Sequence, residues 1–124
     1  MNPLLIKRYT ANAAIAASRI VKFDNADQLV IQAAAATDLS VGVSVETIGA
    51  DSGEGVDVIH AGIAYVEAGG NVTRGAKVTS DASGKAVAAA PAAGSNAQVI
   101  GVALVSAVSG DIFPVLISPQ TMQG

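Results

Sequence analysis

The chain contains a single histidine, His60, and no cysteine, so any catalytic or metal chemistry would rest on one imidazole and ten carboxylates. Hydrolytic relays pair such a histidine with a nucleophile on a sharp turn and an orienting acid. Ser52 and Asp57 stand near it in sequence, but no G-x-S-x-G pattern surrounds either. A metal would need carboxylates beside the one imidazole. The stretch "DSGEGVD", Asp51 to Asp57, lacks the alternating Asp/Asn positions and distal Glu of a calcium loop, and reads as a solvated hairpin tip. "GGNVTRGAKVTS" comes near a phosphate loop, yet Lys77 falls one residue late and no strand-to-helix pattern frames it. Asn71-Val72-Thr73 matches a glycosylation acceptor, which matters only in a secreted chain. The expectation is therefore no catalytic residue, no cofactor and no metal site, with His60 structural or solvent-facing.

What the remaining residues build is a sheet. "SRIVKF", "QLVIQ", "LSVGVSV", "GVDVIH", "GIAYVE", "AKVTS", "AQVIGVALV" and "DIFPVLI" are short, rich in Val and Ile, and bounded by Asp, Asn, Gly and Ser. This spacing predicts an all-β fold, a compact small barrel or sandwich. Pro114 cannot donate to a ladder and points to an edge or a bulge. The alanine runs at 33–36 and 86–93 are too short, and Pro91 too disruptive, for a stable helix, so they read as loops or strand ends. Alternation and repetition predict a core of Val21, Phe23, Val30, Val43, Val58, Ile63, Val78, Val102, Leu104, Val115 and Ile117.

At 124 residues the chain is the size of one domain. Only Tyr9, Phe23, Tyr65 and Phe113 carry aromatic rings, so the core is made of small and β-branched side chains. A net charge of −3 argues against a nucleic-acid binder. The first 22 residues hold four basic groups and no acid, whereas the remainder holds three basic and ten acidic groups. That amino-terminal segment lacks the order of a secretion signal, because Lys7 and Arg8 follow the apolar Leu4-Leu5-Ile6. The uncharged stretch 86–110 is broken by Pro91, Gly94, Asn96 and Gly101 and does not read as a membrane span.

The chain also repeats itself. Val21-Lys22-Phe23-Asp24 answers Val78-Thr79-Ser80-Asp81 at a spacing of 57, Gly42-Val43 answers Gly101-Val102 at 59, and Ser52-Gly53 answers Ser109-Gly110 at 57 again. Two copies are too few for a solenoid and predict pseudo-two-fold halves, about 20–62 and 77–119, in a single β domain over 18–119. Residues 1–17 have no evident counterpart and read as an extended amino-terminal arm, and 120–124 as a tail.

Three stretches, "IKRYTANAAIAASRIVKF", "GVDVIHAGIAYVEAGGNVTRGAKVTSDASGKAVAAAPAAG" and "VIGVALVSAVSGDIFPVLI", together resemble the head decoration, or capsid cement, proteins of tailed bacteriophages and prophages. The resemblance implies a β-clip-like structural protein, made in the bacterial host cytoplasm, that sits on the outer capsid surface as a homotrimer and clamps neighbouring major capsid protein subunits. It implies no catalysis, no cofactor, no direct nucleic-acid contact and no membrane. Within the arm, Leu4, Leu5, Ile6, Lys7, Arg8 and Tyr9 combine apolar and basic side chains and are the expected contact with the capsid or an adjacent protomer. Other readings from the residues are a different head or tail accessory protein, a small enzyme, or a non-viral β assembly module.

Overall fold

Runs of Val, Ile and Ala separated by Gly- and Asp-rich turns form nine strands and no helix among the described residues, which are 3–45 and 48–124 of this computed structural model. The strands are β1 (Pro3–Ala11), β2 (Ile20–Phe23), β3 (Leu29–Gln32), β4 (Ser40–Ser44), β5 (Gly55–Glu67), β6 (Lys77–Ser80), β7 (Ala86–Ala88), β8 (Asn96–Ala103) and β9 (Ile112–Gln123). The order β1-β3-β2-β4-β5 closes on itself through an antiparallel β1–β5 ladder, giving a five-stranded barrel. The sheet then continues through β9, β8, β6 and β7. A single parallel bridge, Ala68 to Ala86, brings the end of β5 back to β7.

The two halves are the same structure built twice. Ile20 faces Val43 and Val21 faces Gly42 in the first half; Lys77 faces Val102 and Val78 faces Gly101 in the second. Val43 faces Ile59 as Val102 faces Leu116. Both glycines are required by close approach: a Cβ on Gly42 would strike the Ile59 carbonyl, and one on Gly101 the Leu116 carbonyl.

The repeat reaches further back than the sequence suggested. Five consecutive β1–β5 pairs, from Ile6 with Ile59 to Thr10 with Gly55, recur 57 residues later as Ile63 with Leu116 to Glu67 with Ile112. The isolated bridge between Ile15 and Ala50 recurs between Val72 and Ala107. Ser18 and Gly75, also 57 apart, both take positive φ (59° and 88°), a conformation that costs the serine more than the glycine. Residues 3–11 are thus the first strand of the first half, paired within their own chain, and their counterpart is the distal part of β5. β5 serves both halves. The segment 120–123 is likewise strand, with Asn96 to Val99 opposite Gln120 to Gln123.

Each half has its own core. Tyr9, Ala11, Ile15, Val21, Val30, Ala50, Val56 and Val58 fill the first barrel. The second cluster holds their counterparts, among them Val66, Ala68, Val72, Val78, Ala107, Phe113 and Val115. It also includes Ile20, Val43 and Ile59, which project from the back of the first barrel. The interior of the second half is therefore closed by the outer surface of the first. Backbone bonds cross this seam from Glu67 N to Ser18 O (3.0 Å), Ile20 N to Gly84 O (2.8 Å) and Gln98 N to Ala36 O (2.7 Å).

Of the expected core, Val21, Val30, Val43, Val58, Val78, Val115 and Ile117 are buried. Phe23 is exposed, because β2 ends at the barrel rim. Along β8 Ala97, Val99, Gly101 and Ala103 are buried in unbroken alternation, so Val102 and Leu104 fall on the back of the second half, where Val102 is half-buried and Leu104 exposed. Ile63 is half-buried on the outer side of β5. Pro114 lies in a central strand and not at an edge. Its carbonyl accepts from Leu104 N (3.1 Å), one residue past the end of β8, so its missing N–H falls where that ladder has stopped.

Candidate functional site

The side chains brought together by the fold make two exposed surfaces among the described residues. Among the described residues, no three His, Asp or Glu side chains converge as a metal site would require. His60 stands in β5 between two partners. Its Nδ1 donates to Val41 O at 2.8 Å, so in the neutral ring Nε2 accepts from the Tyr9 hydroxyl at 2.7 Å. The imidazole ties β1 to β4 across the barrel, which is a structural role. Ser52 and Asp57 do not join it: Asp57 pairs with Arg8. In the "DSGEGVD" turn the Glu54 carboxylate accepts from Asp51 N (2.8 Å), and in the second half the Asp111 carboxylate accepts from Val108 N (3.1 Å). The acids close their own hairpins.

The first candidate surface is the exposed part of β1 and the adjoining mouth of the first barrel. Leu5 is 54% and Ile6 46% exposed, both beside an irregularity in the β1–β5 register that presents neighbouring side chains together. Lys7 is exposed and lies over the Tyr9 ring, 5.2 Å from its centroid. Arg8 projects on the same strand, with its Nε 3.1 Å from Asp57. Tyr9 points inward and packs edge-on against Phe23. Of the six expected contact residues, four therefore reach the surface, Tyr9 belongs to the core, and the side chain of Leu4 lies outside the described residues. Next to them, Lys7, Tyr9, Phe23 and the 24–28 turn line an open cleft of about 370 Å³.

The second candidate surface was not anticipated as a surface. On the outer side of the second half, Ile63 and Tyr65 of β5 stand opposite Leu116 and Pro114 of β9, and Val102 of β8 flanks Leu116. Leu116, Ile112 and Leu104 are 43%, 49% and 37% exposed. At its rim Glu67 accepts from Arg19 (3.0 Å) and meets Lys85 (3.1 Å). The Arg19 hydrogen bond holds the Glu67 carboxyl below its ordinary range; partial burial opposes this and Lys85 adds to it. The matching positions of the first half are Ile6 and Arg8 on β1 and Ile59, Asp57 and Gly55 on β5, so an ion pair stands where the second half has Tyr65 and Pro114.

The sequence pattern of phage cement proteins matches residues 4–117, almost the whole duplicated structure. The chain belongs to the phage cement protein family. The fold of this cement protein is similar to that of "head fiber gp8.5 N base in bacteriophage phi29", with a TM-score of 0.66 and 20% identity over 97% of this chain and 98% of that one. No curated protein matches it. The resemblance read from the sequence is thus borne out at the level of family and all-β fold. This cement protein is a structural component of the virion that binds the capsid.

Proposed function

We propose that this cement protein works as a homotrimer on the outer surface of the phage head, where it bridges neighbouring major capsid protein subunits and performs no catalytic step. The family match over 4–117 carries this reading. The attachment surface in this proposal is the exposed part of β1 and the adjoining barrel mouth: Leu5 and Ile6 supply apolar contact, and Arg8 on the outer side and Lys7 at the mouth meet acidic groups on the capsid. Because β1 closes the first barrel, attachment uses a presented strand and not a free arm, and deletion of residues 2–12 is expected to unfold the protein instead of merely releasing it.

The test is binding to capsids of the same phage that lack the protein. Wild-type chain should decorate them saturably and raise the temperature at which the heads rupture. Lys7→Glu with Arg8→Glu should keep the barrel folded but weaken decoration, most at low salt, where exposed charges are least screened. Wild-type protein that leaves such capsids bare would refute the function, and charge-reversed protein that binds as tightly as wild type would refute the surface.

A further inference from the structure

Duplication makes one surface of this molecule a guide to another. On the back of the first half, Ile20, Val43 and Ile59 are completely buried, because the second half of the same chain packs over them. The matching positions on the back of the second half are Lys77, Val102 and Leu116, and among the described residues none packs over them as the second half does over the first: Lys77 is exposed, Val102 half-buried and Leu116 43% exposed. Around Val102 and Leu116 the face continues with Ile63, Tyr65, Leu104 and Ile112. Contiguous apolar area of this kind on a soluble surface marks a contact site.

We propose that this face packs against a second copy of the chain. It deepens the trimer reading above and rests on it. Two observations select a copy over another partner. Within the chain the equivalent face of the first half is covered by apolar residues of the second, so contact between the repeated units through this face already has a precedent. The charge distribution also permits self-approach here. Residues 60–124 carry three acidic and three basic groups, whereas residues 1–59 carry seven acidic and four basic. Copies meeting through their second halves bring together halves of no net charge and keep the acidic first halves apart.

The experiment is sedimentation of the intact chain from nanomolar to sub-millimolar concentration. Wild-type protein should assemble, and the double variant Leu116→Lys with Ile112→Lys should remain a monomer with an unchanged melting curve at high dilution. Leu39→Lys, at a 72% exposed position on the first half, should assemble like wild type. Since the chain has no cysteine, Leu116→Cys supplies a second measurement that does not depend on the lysine variant folding. Its thiol should react with a maleimide at least about tenfold more slowly in assembled than in diluted protein. A wild-type chain that stays monomeric throughout, a double variant that assembles as well as wild type, or equal thiol reactivity in the two states would overturn the inference. Decoration of bare capsids by a chain that stays monomeric would overturn this inference while leaving capsid attachment standing.

Discussion

Ile59 and Leu116 occupy the same place in two copies of one ladder, yet Ile59 is completely buried and Leu116 is 43% exposed. The halves have the same pairing, the same obligatory glycines at 42 and 101, and the same self-closed hairpins. They differ in what lies behind them. A repeated β unit has a back face that must be covered or made polar. The first half does both, with Ile20, Val43 and Ile59 under the second half and Arg8 paired to Asp57 beyond its reach. The second half has Lys77 in the place of Ile20 but leaves Val102 and Leu116 apolar and only partly covered. In the proposal above that inequality locates the contact between copies, because the face left apolar is the one free to meet a second chain.

The comparison is sharpest at its defining pair. Ile59→Ala should cost about 2–5 kcal/mol, as loss of a large buried side chain does. Leu116→Ala should cost less than about 1 kcal/mol, provided unfolding is followed at dilutions where copies do not associate. Equal losses would mean that the two backs are equally covered. Next in size are Gly42→Ala and Gly101→Ala. Each forces a methyl against the carbonyl of the facing strand, for which about 1–3 kcal/mol is expected, similar at the two sites. A large effect at one and none at the other would show that the halves are not mechanically equivalent.

Much of this duplication was legible before any coordinates. The spacings of 57 and 59, the two glycines and the seven correctly placed core residues follow from alternation and repetition. Its beginning was not, because Lys7-Arg8-Tyr9 and Ala64-Tyr65-Val66 share a position in the ladder and no residue at any matched place. Three pairs at a spacing of 57 carried the signal: Ile6 with Ile63, Ala11 with Ala68, and Ile15 with Val72. The second surface was hidden for a different reason. Val102 reads as core because its mate Val43 is core; both lie on the backs of their halves, and nothing in the local pattern says that only the first back is covered. The terminal segments looked like an arm and a tail because strand partners distant in sequence leave no local mark.

Smaller effects probe the seam and the barrel lock. Glu67, from the second half, holds Arg19 of the first. Its carboxyl titrates lower in the folded chain than its ordinary 4.5, so this contribution is complete above that value and is lost as the pH falls through the lowered folded value. Wild type should therefore lose more stability than Glu67→Gln over that acid interval, and parallel pH curves would show that the pair contributes nothing. His60→Ala should cost about 1–2 kcal/mol by freeing the Tyr9 hydroxyl and the Val41 carbonyl, while leaving capsid binding within a few-fold. The second half has Ile117 at the matching position and no such link to lose.

Two exposed lysines report directly on the division of surfaces. Lys7 is exposed on β1 over the Tyr9 ring at the mouth of the first barrel, and Lys77 lies on the back of the second half, opposite Val102. Their reactivity toward an amine reagent can be compared by mass spectrometry in dilute chain, assembled chain and chain bound to capsids. Lys77 should become protected when copies assemble in solution, and Lys7 only when the protein is on the capsid. Protection of Lys7 on assembly with Lys77 left reactive, or no change at either residue on capsids, would contradict the assignment of one face to each partner.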